Sequence, residues 1–169
     1  MKPPIVNLDA LNPQPLPPQC APTGLAAERY APRIARIGAQ FGARKLGYSL
    51  IVLEPGKRAF PFHHHRVNGE MFFVIQGAGE VRIGSEQHAI RAGDIIACPP
   101  GGSATAHQIV NTGTQALRYL AISTMLSPKV VEYPDTGRQA VLVADEPDVK
   151  GGLRAVFRAS DSLEYWDGE

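Results

Sequence analysis

The sequence predicts an all-β domain, closed or nearly closed into a small barrel. Three observations carry that expectation. Seventeen Gly and fifteen Pro are spread over 169 residues, and from about residue 46 they punctuate short apolar runs, as expected of short strands joined by tight turns. Runs such as "GEVRIG" alternate with a period of two, Val81 and Ile83 against Glu80 and Arg82, which suits a half-buried strand and not a helix. Finally, "SLIVL", "EMFFVI" and "YLAI" are apolar at successive positions, so both faces of those strands should be covered. Closure into a barrel removes the unpaired edges that such strands would otherwise expose.

Taken in order, residues 1–23 hold seven prolines. Proline fixes its own φ and lacks the amide donor, so this stretch is neither helix nor inner strand. It reads as an extended arm, with Ile5, Val6, Leu8, Leu11 and Leu16 as the side chains it can bury. One short helix is expected in "TGLAAERYA", 23–31. Strands are expected near 33–37, 46–54, 58–65, 70–76, 79–84, 86–91, 94–98, 106–111, 116–124 and 139–144. Turn signals separate them at Pro55-Gly56, Asn68-Gly69, Gly77 to Gly79, Gly84-Ser85, Ala92-Gly93, Pro99 to Gly102 and Asn111 to Gly113. "GEVRIGSEQHAIRAGD" reads as a hairpin. The expected organisation is a Pro-rich arm over 1–32, a barrel over 33–145, and a C-terminal segment over 146–169 that packs on the barrel through Tyr165 and Trp166. The apolar outer faces predict a homodimer with draped or swapped extensions.

Composition narrows the function classes. Apolar residues make up 44% and charged residues 20%, with a formal net charge of +1, so no basic field points to nucleic acid or to an anionic membrane. The N-terminal stretch has no apolar run of signal-peptide length, and no run reaches the roughly 18 apolar residues of a membrane span. Cys20 and Cys98 make no disulfide framework, and reduced thiols in a cytoplasmic setting are the expectation.

The chemistry concentrates in "FPFHHHRVNGE", Phe60 to Glu70. Side chains alternate along a strand, so His63 and His65 share a face with Cα atoms ~6.5 Å apart, while His64 points the other way. Glu70 follows a turn sequence and can return a carboxylate to the same face. His107, in "AHQIVN", is a fourth candidate far downstream. Three imidazoles and one carboxylate suit a divalent transition ion such as Mn, Fe, Co, Ni, Cu or Zn, and do not suit Ca or Mg. Four protein ligands leave up to two positions of an octahedral ion open. The bland alternative is that these histidines only line a polar pocket. His64 reads as an outward or supporting residue, His88 as solvated, Cys98 as a small buried hydrophobe and Asn111 as a turn residue. Tyr48, Gln76 and Tyr119 are further candidates for the pocket lining.

These residues carry a family resemblance. Gly56-x6-His63-x-His65-x4-Glu70-x6-Gly77 resembles the first cupin motif, with six residues after the leading glycine in place of five. Gly93-x5-Pro99-x-Gly101 and His107-x3-Asn111 resemble the second motif, with five residues between Gly101 and His107 in place of two. The flanks resemble bacterial single-domain cupins of unassigned function. The resemblance implies a small jelly-roll barrel, or double-stranded β-helix. It also implies one divalent metal ion per subunit (Zn, Mn, Fe, Ni or Co) held by His63, His65, Glu70 and His107. The function implied is a metal-binding protein that acts on or binds a small anionic, chelating metabolite, with isomerase-type and dioxygenase-type chemistry both open. A non-catalytic binding or sensing protein, or a shell with a structural metal, uses the same residues. No general acid or base outside the ligand set stands out in the sequence.

Overall fold

In a computed structural model, which describes residues 4–143 and 152–169, the chain folds into antiparallel sheets with a single five-residue α-helix. The strands in chain order are β1 (Gln14–Pro15), β2 (Arg33–Arg36), β3 (Leu46–Leu53), β4 (His64–His65), β5 (Glu70–Gln76), β6 (Ala78–Ile83), β7 (Glu86–Arg91), β8 (Ile95–Cys98), β9 (His107–Val110), β10 (Leu117–Thr124), β11 (Lys129–Tyr133), β12 (Arg138–Leu142) and β13 (Arg154–Arg158); α1 is Leu25–Arg29. One sheet has the order β1-β2-β3-β10-β5-β8; the others run β13-β12-β11-β4 and β7-β6-β9.

Alternation decides what lies between them. Ile51 and Leu53 of β3, Phe72 and Val74 of β5, Leu117 and Tyr119 of β10, and Ile96 and Cys98 of β8 turn inward. There they meet Val81, Ile90 and Ile109 from the three-stranded sheet, forming one buried cluster. The opposite face of the six-stranded sheet carries a second cluster, Ala35, Ile37 and Leu50, against which Val6, Leu8, Leu11 and Phe41 pack. Residues of the Pro-rich segment thus cover part of that face, with β1 paired to β2; Ile5, 80% exposed, takes no part.

Most expected strands form within a residue or two. The hairpin pairs Ile83 with Glu86 and Ala78 with Arg91, as its alternation requires. The expected strand over 58–65 is a correction, because only His64–His65 is regular. Pro61 has no amide to donate, so the ladder is reduced to bridges at Arg58↔Val110 and His63↔His107. Even so, this broken segment lies beside β9 at those bridges and beside β11 through His64 and His65, joining the three-stranded and four-stranded sheets. Three strands were not expected: β1, β11 and β13. β1 is two residues within the Pro-rich stretch, β11 lies between Pro128 and Pro134, and β13 begins and ends on arginine. The 145/146 boundary and the end of the 139–144 strand lie outside the described residues.

The C-terminal expectation needs correcting as well. Tyr165 and Trp166 stack edge to face at 4.8 Å, but they are 85% and 75% exposed. They touch each other and do not anchor the segment to its own barrel. What joins that segment to the barrel is the β12–β13 ladder, Arg138↔Arg158 to Leu142↔Arg154. No described helix is long and apolar enough to cross a membrane.

Candidate metal centre

Two elements from opposite sides of the barrel build the site. His63 and His107 face each other across an antiparallel bridge and exchange both backbone bonds: the His63 amide donates to His107 O at 3.2 Å, and the His107 amide donates to His63 O at 2.8 Å. Residues so paired project their side chains from the same face. His65, two residues on, shares that face. Glu70 does not return on the neighbouring strand of the same sheet, as the turn signal suggested. It opens β5 in the facing six-stranded sheet, paired with Cys98 and Ser123. Its carboxylate therefore meets the imidazoles across the barrel interior.

The five residues between Gly101 and His107 do not displace His107. They turn over Ser103–Thr105, the Gly101 amide donates to His65 O at 2.9 Å, and the strand register resumes at His107. Asn111 behaves as the turn residue it resembles: its side chain donates to Leu53 O and Gln115 O, each at 2.8 Å, and accepts from the Gly113 amide at 2.9 Å. At Gly77, φ is +84° and an added Cβ would lie 2.6 Å from Ala116 O, so only glycine carries the chain from β5 into β6 there.

Three Nε2 atoms converge on one carboxylate oxygen. Glu70 Oε2 lies 3.0 Å from His107 Nε2, 3.2 Å from His65 Nε2 and 3.7 Å from His63 Nε2. The ligand atoms of His63, Glu70 and His107 all lie within 4.8 Å of one another; His65 falls outside that tightest group. Tautomers are set from behind. His63 Nδ1 lies 2.8 Å from Pro61 O and His107 Nδ1 lies 3.3 Å from Thr105 O. A carbonyl can only accept, so each Nδ1 carries the proton and, in the neutral ring, each Nε2 offers a lone pair. His65 is buried, and neither of its ring nitrogens has a hydrogen-bond partner among the described residues; its Nε2 is close to Glu70 but lacks bonding geometry. A buried donor set with an orphaned imidazole nitrogen is incomplete as it stands, and a cation at the convergence point would complete it.

The electrostatics agree. Burial opposes the charge of Glu70, but the His107 hydrogen bond and the His63 and His65 imidazoles beside the carboxylate win and hold its carboxyl well below the usual carboxylate range. His65 is lowered by burial, which outweighs the pull of Glu70, so it is neutral and ready to ligate at pH 7. Burial also pushes His107 down, yet the Cys98 thiol and the Glu70 carboxylate raise it to about 10. Without a cation, the site balances one carboxylate with one imidazolium.

His64 points to the opposite face, as alternation requires, but it is 1% exposed and not outward. Its Nε2 lies 3.2 Å from Glu132 Oε2. Arg66 donates to both oxygens of Glu132, at 2.7 and 3.0 Å. This cluster ties β4 to β11. His88 is half exposed beside Glu86, at 3.3 Å, and Tyr119 is core.

Beside the histidines lies a cavity of about 300 Å³ lined by Ile51, Phe60, Pro61, Phe72, Ala121, Val131, Leu142, Lys129 and Tyr133, together with His63, His65 and Glu70. A second cavity, of about 470 Å³, shares Ile51, Phe60, Glu70, Ala121 and Lys129 and adds Tyr48 among others. Lys129 and Tyr133 were missed in the sequence. The signal was there: between Pro128 and Pro134, "KVVEY" alternates so that Lys129, Val131 and Tyr133 share one face. Burial raises the Tyr133 phenol, which keeps it protonated and able to donate. Lys129 has no ion-pair partner among the described residues.

Comparison with known proteins places this barrel. Residues 49–123 match the family model described as Cupin domain. An uncharacterized protein of Methanocaldococcus jannaschii is 31% identical over 61 residues, 36% of this chain; the chain spans 46% of that relative's length. Among solved structures, a candidate sugar phosphate isomerase of Acidithiobacillus ferrooxidans is 28% identical with a TM-score of 0.69, covering 79% of this chain and 80% of that one. A cupin-superfamily sugar phosphate isomerase of Silicibacter pomeroyi, 24% identical, has a TM-score of 0.74 over 96% and 98% of the two chains. A predicted oxalate decarboxylase of Thermotoga maritima, 21% identical, has a TM-score of 0.56 over 72% and 99%.

Proposed function

We propose, from the membership of this chain in the cupin superfamily through residues 49–123, that it binds one divalent transition metal through His63, His65, Glu70 and His107 and there handles a small anionic, chelating metabolite. The observation that carries this reading is the convergence of three Nε2 atoms on Glu70 Oε2 while buried His65 has no hydrogen-bond partner among the described residues. A divalent ion at that point would supply Lewis acidity toward a chelating carbonyl, hydroxyl or carboxylate. With neutral imidazoles and one carboxylate, the loaded centre carries a net charge of about +1, which favours an anion.

The chain's own residues supply the rest. Lys129, without an ion-pair partner among the described residues, brings an ammonium to the same cavity. Tyr133, its phenol held protonated by burial, is the donor that can reach a ligand oxygen there. Ile51, Phe72 and Val131 are buried walls that keep water from the ligand. Isomerisation is the enzyme class to test first, since the 28%-identical relative is named for it. Binding without turnover would instead make the chain a sensing or carrier protein using the same pocket. We also assign the outer face of β5 and β8 to a homodimer contact: Phe73 and Ile95 are cross-strand partners on that face and are 37% and 68% exposed.

Elemental analysis of the untagged protein should find about one transition ion per chain, with chelator lowering the melting temperature. His63→Ala and His107→Ala should each abolish the ion and the chelator effect. Protein without stoichiometric metal, and with chelator-insensitive melting, overturns the reading.

A further inference from the structure

The walls of the cavity at the centre discriminate between kinds of chelating anion. Apart from the ligand residues, its lining offers two polar side chains, Lys129 and Tyr133; the remainder is hydrocarbon from Ile51, Phe60, Pro61, Phe72, Ala121, Val131 and Leu142. At about 300 Å³ it is at the small end for ligand pockets. Polar groups do occur in the adjoining cavity, which Arg36, Ser49 and Ser123 line among others. The residues common to the two cavities, however, are Ile51, Phe60 and Ala121 together with Glu70 and Lys129. A sugar phosphate chelating at the histidines would lay its polyol chain along those three apolar residues before its phosphate reached Arg36. Each hydroxyl brought there gives up water without gaining a partner.

We infer that the ligand is a 2-oxo or 2-hydroxy monocarboxylic acid with a short branched-alkyl or aryl body. Its acid and adjacent oxygen sit at the centre beside Lys129, and its body lies against Phe60, Phe72 and Val131. The chemistry of the pocket thus separates this chain from the sugar phosphate for which two of its structural relatives are named. The inference rests on the metal-centre reading above. The loaded centre's net charge of about +1 matches a single carboxylate, Lys129 adds an ammonium beside it, and each methylene buried on the wall tightens binding by roughly fourfold.

The test is calorimetry on the full chain loaded with zinc, using 4-methyl-2-oxopentanoate, pyruvate and ribose 5-phosphate as probes. The branched acid should bind tens of times more tightly than pyruvate, and more tightly than ribose 5-phosphate. Lys129→Met, with melting checked against the parent, should weaken the branched acid about tenfold, whereas Arg36→Ala should leave it within about twofold. Failure to take up zinc overturns both this inference and the reading beneath it. Zinc uptake with ribose 5-phosphate the tightest probe, or with pyruvate equal to the branched acid, overturns this inference alone.

Discussion

His107 is the residue at which charge and coordination meet. In the metal-free protein its pKa is raised to about 10, so it holds a proton across the physiological range and pairs with Glu70 at 3.0 Å. A metal ligand must be deprotonated. Metal uptake between pH 7 and 8 should therefore expel about one proton, and apparent affinity should rise about tenfold per pH unit up to the region of pH 10. Calorimetry in buffers of different ionisation enthalpy measures this; uptake with no proton released would place the charge elsewhere. The sign for metal-free stability is the reverse for the two partners. The raised His107 contributes fully below the ordinary imidazole pKa, and that contribution disappears as pH climbs through about 10. The depressed Glu70 contributes above the ordinary carboxylate range, and is lost as pH falls. Urea midpoints of the metal-free protein should accordingly fall at both acid and alkaline ends.

At the scale of elements, the site depends on how the turn before β5 is held. Asn68 is 1% exposed. It donates to Leu126 O at 3.1 Å and accepts from the Thr124 hydroxyl at 3.0 Å and the Leu126 amide at 2.8 Å. The Gly69 amide adds a bond to Thr124 Oγ1 at 3.1 Å. Together these lock the 66–69 turn to the end of β10, so that Glu70 enters β5 with its carboxylate inward. Asn68→Ala would take from the Leu126 amide and carbonyl and from the Thr124 hydroxyl proton their Asn68 partner and should lower stability by about 1–3 kcal/mol, read from urea midpoints. Metal occupancy should fall with it, although no ligand has been removed; full occupancy in a destabilised variant would show that the turn does not position Glu70. The ladder between β4 and β11 has a parallel role, since Val131 pairs with His65 and Glu132 with His64. The same ladder that orients the histidines thereby brings Lys129 and Tyr133 to the cavity.

At the scale of the molecule, the arm and the barrel leave one face of the large sheet partly covered. Val6, Leu8 and Leu11 lie over the cluster of Ala35, Ile37 and Leu50. The Phe73–Ile95 pair on β5 and β8 lies beyond it, and β8 is the outermost strand of its sheet. Light scattering should find a dimer, and Phe73→Asp combined with Ile95→Asp should give a folded monomer that keeps its metal. A wild-type monomer at micromolar concentration would count against a second copy on this face. Leu163, Tyr165 and Trp166, all largely exposed, are another apolar surface such a copy could cover.

The strand pattern was legible because period-two alternation and glycine turns are local properties: β5, β7 and the β6–β7 hairpin lie where "EMFFVIQ", "EQHAIR" and "GEVRIGSEQHAIRAGD" put them. The four candidate ligands were legible for a similar reason, since residue type and spacing along the chain are what the motifs encode. Other features depend on contacts across the barrel, which spacing does not carry. They include the origin of the Glu70 carboxylate in the facing sheet, the burial of His64 against Glu132, the unpaired nitrogens of His65, and the arrival of Lys129 and Tyr133 some sixty residues after the histidines. The exposure of Tyr165 and Trp166 belongs with them, because an aromatic pair near a chain end looks the same in sequence whether or not its own barrel offers a place to bury it. By itself the sequence determined the barrel and the residues proposed as metal ligands. The tertiary structure decided which side chains face one another, and so the charge of the site and the apolar wall beside it.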